Sequence, residues 1–444
     1  MVRKRTRLAL VAAAGLSGLL AWFGEARAAG FALREGSPDW MANAFAGESA
    51  KAYDASTAWA NPAGMVRLNW NEVDTALNIL VPSSHFSGNN FVSGNNFVGP
   101  LPTPGNQGGN LAQTAVTPGL FGVWNFSPDL KFGIATLAPF GQLITNPSNF
   151  VGRYQSIVSH ASDIAVSLSA AYRINQHFSI GGGPIVDYFS ARLTQAVNTG
   201  PSSLITGDPT ADVHGNDISV GFNVGALYQL NDALRIGLTY RSRIQHGITG
   251  TQSIFVPPLL EFGSPGTAAF LRRVTNSDVR TKVQLPEEVN LGVYYQINPQ
   301  WAVMTEVQWT NWAVIKSVNI TPTTPGVIPT VIRQDFRNTW FGAVGASYRP
   351  IDPLLLQIGF AFDESPVTNS NRTTRIPDSN RYFLSTGVQY KLLSNLTLQA
   401  AYGHVFFQSA PILNSENPLL NSGVIVGKYN NQANTFSVGA TYRF

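Results

Sequence analysis

From about residue 70 to its last residue, this chain repeatedly changes polarity at every second position. The final stretch is the plainest case: Phe436, Val438, Ala440, Tyr442 and Phe444 alternate with Ser437, Gly439, Thr441 and Arg443. A two-residue period gives an extended strand one apolar and one polar face. The same pattern recurs at 164–172, 218–229, 289–297, 301–309 and 382–391. Many apolar faces end in Tyr or Trp, as at Tyr172, Tyr228, Tyr295, Trp309 and Tyr390. Apolar faces with aromatic ends suit strands that cross a bilayer between two interfaces.

Composition agrees. Only 12% of the residues are charged, against about 25% in an ordinary soluble domain. Mean hydropathy is nevertheless only +0.01. Beyond the N-terminal segment there is no apolar run of the roughly 20 residues that a membrane helix needs. Few charges with neutral hydropathy is what apolar-out, polar-in strands produce. The connections also alternate in length. Short turns rich in Pro, Asn and Asp fall at 125–129, 173–176, 230–232, 298–300, 349–353 and 392–395. Longer Gly/Pro/Asn/Ser-rich segments fall between them, near 82–116, 139–160, 191–216, 247–281, 318–334, 363–379 and 408–431. The expected fold is all-β: a transmembrane antiparallel β-barrel of about 14 strands, periplasmic turns below and extracellular loops above. Both termini then face the periplasm of a Gram-negative cell.

The first residues read as a secretory signal. Arg3, Lys4, Arg5 and Arg7 precede a mostly apolar stretch at 8–23, and Ala26-Arg27-Ala28 offers small residues for cleavage. A short membrane anchor is the alternative. With cleavage after Ala28, most of the +4 net charge leaves with the signal, and no basic cluster remains to bind nucleic acid. There is no Cys, so no disulfide or thiolate site exists. No cofactor or metal is expected. Residues 29–69 do not alternate and are too few for a core of their own. Their natural place is inside the lumen as a plug, or hatch, with the barrel proper running from 70 to 444.

Four sets of residues then resemble the FadL/TodX family of outer-membrane transporters of hydrophobic compounds. They are Ala29-Gly30-Phe31-Ala32-Leu33; Ala44-Phe45-Ala46-Gly47-Glu48 with Tyr53-Asp54-Ala55-Ser56 and Asn61-Pro62-Ala63-Gly64; Tyr240-Arg241-Ser242 with Leu285-Pro286-Glu287; and 360–367 with Arg372 and 376–381. The resemblance spans the mature chain. It implies a fourteen-stranded barrel with an N-terminal plug that takes up long-chain fatty acids or other hydrophobic molecules. It further implies capture among the loops and sideways exit through a kink in the third strand. Aromatic or alkane hydrocarbons are the alternative cargo. The expected partners are the substrate, outer-membrane lipids and lipopolysaccharide, and the barrel-assembly machinery that reads the last strand. A monomer is expected.

Candidate site residues follow. Asn61, Pro62 and Ala63 would position the plug, and by resemblance Phe31 would fill the inner pocket. Pro139, Phe140 and Gly141 are the expected kink, because Pro fits sheets only at edges, ends or bulges. By resemblance to the family's best-known member, bases for a substrate carboxylate would lie after strand five and before or within strand ten. This chain has Gln195 at the first position, with Arg192 three residues earlier, and Arg337 at the second. By parity with Thr339 and Ser347, Arg337 should face the lumen. Arg272 and Arg273 could meet an anionic headgroup or lipopolysaccharide. Phe255, Leu259, Leu260, Phe262, Phe270 and Leu271 are unusually apolar for a loop and are the candidate capture groove, with Val256 among them. A lipid hydrolase would need a Ser-His pair with an orienting group; the six His residues carry no such motif. A general porin would lack a plug and carry charge across its constriction.

Overall fold

The computed structural model describes residues 31–92, 100–200, 207–415 and 422–444; the signal segment at 1–28 lies outside them. The alternating stretches form one closed antiparallel sheet of 14 strands. They are β1 (Glu72–Val92), β2 (Ala115–Asn125), β3 (Leu130–Leu137, resumed at Gly141–Thr145), β4 (Val158–Arg173), β5 (Phe178–Ala196), β6 (Thr210–Gln229), β7 (Leu234–Arg241, resumed at Ile244–Phe255), β8 (Ser277–Leu285, resumed at Glu288–Gln296), β9 (Trp301–Thr310), β10 (Thr339–Ile351), β11 (Leu354–Asp363), β12 (Arg381–Leu393), β13 (Leu396–Phe407) and β14 (Val424–Arg443). Each strand pairs with its neighbours in sequence. β14 closes on β1 in unbroken register from Glu72↔Arg443 to Phe91↔Val424. Closure is required because an open edge would leave backbone groups unbonded in hydrocarbon.

The two faces sort as the alternation demands. On β14, Val438 is 53% exposed toward lipid while the neighbouring Ser437 is 1% exposed in the interior. The strands run further than their apolar bands. β1 has 21 residues and β6 and β14 have 20 each, whereas about 9–11 suffice to cross the membrane. Much of what reads as loop at 82–116, 191–216, 247–281 and 408–431 is therefore strand. Above the hydrocarbon, outward residues need not be apolar, so the pattern fades while the backbone ladder continues. Gln245, Thr249 and Thr251 of β7 show this, all facing outward. The rest of 247–281 contains two helices, α4 (Pro258–Gly263) and α5 (Pro265–Thr275), each opened by a Pro in its first turn.

Nearly every residue from 31 to 66 is buried inside the wall. Three short helices, α1 (Pro38–Ala42), α2 (Glu48–Lys51) and α3 (Thr57–Ala60), and a 3₁₀ turn (Pro62–Arg67) fill this space. So short a chain cannot pack on itself, and it is held by polar contacts to the polar inner face. Asn43 donates to the carbonyls of Ala346 and Ile358 at 2.9 and 3.2 Å. Arg235 donates to the carbonyls of Ala50 and Lys51. Asp39 and Lys51 pair at 3.0 Å, both almost wholly buried, and Gln357 and Gln389 also donate to Asp39. Asn61 donates to Ser49 within the plug and to Ala226 on β6, and its side-chain oxygen caps the Ala63 amide. The Asn-Pro-Ala sequence thus ties the end of α3 to the wall.

Such close contact needs glycine at the wall. A Cβ on Gly237 of β7 would lie 1.8 Å from the Ser49 carbonyl oxygen. Gly237→Val should therefore displace the plug without breaking the sheet. The expected readout is a steady ion conductance in planar bilayers that the parent protein lacks. An unchanged, closed trace from correctly assembled variant would refute it.

Candidate functional site

The wall is interrupted where Pro139 falls. β2 and β3 are paired from Asn125↔Lys131 up to Leu120↔Thr136 and no further. Residues 115–119 of β2 keep only their β1 partners. β3 resumes at Gly141, paired to β4, and the chain rejoins the β2 side only at the Ala112↔Ile144 bridge. Proline has no N–H to give a ladder, so pairing breaks at this point. The result is a window in the wall between 115–119 and 138–141.

The tip of the plug occupies this break. Leu33 donates its N–H to the Pro139 carbonyl, and Gly141 donates to the Phe31 carbonyl, both at 2.7 Å. Ala32 and Phe140 form the antiparallel bridge between them. Leu33 packs with Leu80, Ala115 and Ala138 across the opening. The Phe31 ring lies 5.7 Å from Phe140 and 5.2 Å from Trp312, and Phe336 closes on Trp312 at 5.9 Å. Behind the break, His246 is wholly buried, with Nε2 3.1 Å from Asp187 and Nδ1 3.1 Å from Asp217. Its ring meets these two carboxylates.

Spaces line up above and below the tip. Below is a cavity of about 50 Å³ bounded by Leu33, Arg34, Trp40, Trp59, Leu137, Pro139, Arg241 and Trp312. Its two arginines are engaged: Arg34 with Asp363 at 3.3 Å and over the Phe341 ring, Arg241 with Glu288 at 2.7 Å and over Trp59. Above is a cavity of about 60 Å³ lined by Gln142, Ile144, Ile376, Arg381, Phe407 and Ala433, among others. Higher still, a groove of about 290 Å³ lies among the loops. Its apolar walls come from Leu193 and Val213, from Phe270, Leu271 and Val274 of α5, and from Ile320, Ile328 and Ile332. Arg375 is its cation, donating to the Gln195 side chain, while the Arg375 carbonyl accepts from Gln142. One residue thus touches the groove and, through Gln142, the cavity below it.

The family model for the outer membrane protein transport protein (OMPP1/FadL/TodX) matches residues 19–444. The chain belongs to this family. It is 28% identical to an outer membrane protein of Neisseria meningitidis serogroup B, with 91% of each chain covered. It is 25% identical to the long-chain fatty acid transport protein of Escherichia coli K12, covering 92% of this chain and 93% of that one. The crystal structure of a Pseudomonas aeruginosa FadL homologue superposes with a TM-score of 0.85 at 24% identity, covering 94% of this chain and all of that one. This protein is accordingly an outer-membrane transporter of hydrophobic compounds. Members of the family are transport channels.

Within this FadL/TodX barrel, Phe31, Pro139, Phe140 and Gly141 converge at the break, and Asn61, Pro62 and Ala63 anchor the plug. The basic candidates need correction. Arg192 does not face a pocket: it shares the outward face of β5 with Val186 and Tyr188, and it is bidentate to Asp212. Arg337 does not face the lumen either. It is exposed and donates to the Ser365 carbonyl. β10 starts only at Thr339, and Asp335 has a left-handed φ of 42°, so parity counted back from the strand fails there.

The apolar loop residues also divide. Phe270 and Leu271 line the groove. Leu260 is buried with Ile254, Val256 and Ala268. Phe255, Leu259 and Phe262 are exposed away from it. Arg272 pairs with Glu261 at 2.9 Å and holds its carboxyl below the usual carboxylate range. Sequence reasoning missed Arg375 and Trp312. Arg375 lies in a buried non-repeating run (Arg372, Thr373, Thr374, Arg375), where no period reports orientation; its only signal is that basic residue beside the family-like stretch at 376–381.

Proposed function

We propose that this barrel takes up long-chain fatty acids by passive diffusion. The acyl chain enters the loop groove with its carboxylate toward Arg375 and passes to the cavities around Phe31. It leaves sideways between β2 and β3 when the plug tip withdraws. The observation that carries this reading is the seating of the plug tip in the wall break, through the Phe31–Gly141 and Leu33–Pro139 hydrogen bonds. A gate there joins the lumen to the outer leaflet, and an apolar molecule gains nothing by passing through water instead. A cation in a mainly apolar groove favours an amphiphile with an anionic end over a plain hydrocarbon. Similarity to the E. coli fatty acid transporter points the same way.

The test is uptake of labelled oleate and of toluene by Gram-negative cells lacking their own transporter, with and without this protein. Oleate should accumulate only when the protein is present. Toluene without oleate would favour the hydrocarbon alternative, and accumulation of neither would end the transport reading for these cargos.

A further inference from the structure

The wall carries a second charged feature, on the side that faces away from the substrate path. Arg280 and Lys282 of β8, and Lys316, Arg333 and Arg337 in the segment between β9 and β10, are all exposed. They share one sector of the barrel. Arg280 is in register with Thr321, and Ser317, next to Lys316, is in register with Arg333. Lys316 also accepts the Gln334 and Asp335 amides through its carbonyl. With strands about 4.8 Å apart and about 3.3 Å per residue, neighbouring members lie on the order of 6–15 Å from one another. The same segments turn Val279, Ile320 and Ile332 inward as a buried cluster. Arg280, Lys282 and Arg333 therefore point away from the groove that Ile320 and Ile332 line, and Lys316 and Arg337 are exposed at the ends of the same segment.

Two details separate this sector from an ordinary solvated face. Three outer arginines elsewhere are neutralised: Arg192 by Asp212, Arg243 by Glu287 and Arg272 by Glu261. Among the described residues, none of these five has an ion-pair partner, although Asp278 and Asp335 are also exposed in the sector. Second, the height is specific. Tyr240, Val289, Trp309 and Trp340 sit in one lateral row across β7 to β10, an aromatic line of the kind that marks the outer edge of the hydrocarbon. The cations stand roughly 5–20 Å above that row, given the strand rise and tilt. At that depth a barrel wall is packed against lipid headgroups and the sugars attached to them.

We propose that Arg280, Lys282, Lys316, Arg333 and Arg337 form a binding site for the phosphate groups of lipopolysaccharide on the outer wall. Guanidinium and ammonium groups bind phosphate through charge-assisted hydrogen bonds. A lipid with two phosphorylated sugars presents anions at a spacing the cluster can span. The bound lipid would pin one sector of the barrel in the outer leaflet, on the far side from the β2–β3 window.

The test uses the full-length purified protein and rough lipopolysaccharide, either phosphorylated or enzymatically dephosphorylated. The expected result is that the parent binds the phosphorylated form about tenfold or more tightly than the dephosphorylated one. A Lys282→Gln/Lys316→Gln/Arg333→Gln variant should lose that preference, with an unchanged circular dichroism spectrum and unchanged oleate uptake in cells. Equal binding of the two lipids by the parent would overturn the proposal. So would a triple variant that keeps the preference. A triple variant that binds lipopolysaccharide normally but takes up less oleate would also overturn it, and would reassign the cluster to recruiting the anionic substrate.

Discussion

An Ala32→Cys/Phe140→Cys double variant should lose substrate uptake on oxidation and recover it with reductant. The two positions are directly bridged antiparallel partners. Such pairs have Cα separations of about 4.5–5.5 Å, inside the range of about 4.4–6.8 Å that a disulfide accepts. The natural chain has no cysteine, so no other thiol competes. The crosslink would tie the plug tip to β3 at the window and leave the loops, groove and barrel untouched. Uptake should fall in proportion to the crosslinked fraction, about tenfold when roughly 90% is locked. Labelled oleate uptake by cells before and after reduction gives the readout, and gel mobility gives the crosslinked fraction. Reduced variant matters as the control, because Phe140→Cys also removes one ring from the Phe31–Trp312 cluster. Full uptake with the crosslink formed would mean that substrate leaves by another route.

The barrel was legible because its physics is periodic. Where both solvent sides differ, as around Ser437 and Val438, the two-residue repeat reports the face directly. The break was legible for a chemical reason, since Pro139 cannot take part in a ladder. Legibility ended where one of these conditions failed. Above the hydrocarbon, β1 and β7 face similar surroundings on their outer surface to those of a loop, so Gln245 and Thr249 gave no sign of strand. Arg337 was misassigned because parity does not carry across a turn. Arg192 is a different case: it shares parity with Val186 and Tyr188, and that alone places it outside. The pairing partners of the plug were not legible at all. That Asn43 meets β10 and β11, or that Asp39 meets Gln357 and Gln389, depends on contacts more than 300 residues apart in sequence. The same holds for Arg375, which reaches Gln195 across 180 residues.

That last contact carries the choice between cargos. The family-like position, which falls at the end of β5, holds Gln195, which has no charge, and the groove obtains its cation from Arg375 instead. Arg375→Gln keeps a hydrogen-bond donor and removes the charge. A fatty acid carboxylate in the groove would exchange a charge-assisted bond for a neutral one, and bonds to charged groups are worth about 1.5–3 kcal/mol against about 1 for neutral ones. Oleate affinity should therefore weaken by about tenfold, since each 1.4 kcal/mol is a factor of ten. Uptake at low oleate should fall accordingly and recover at high oleate, because on the proposed route the groove concentrates substrate and does not form the gate. A methyl ester of the same chain has no anion to lose and should be taken up equally by both proteins. If ester and acid lose uptake together, Arg375 is holding the loop in place through Gln142 and Gln195. If neither changes, the carboxylate binds elsewhere, and the engaged arginines of the inner cavity, Arg34 and Arg241, become the groups to test.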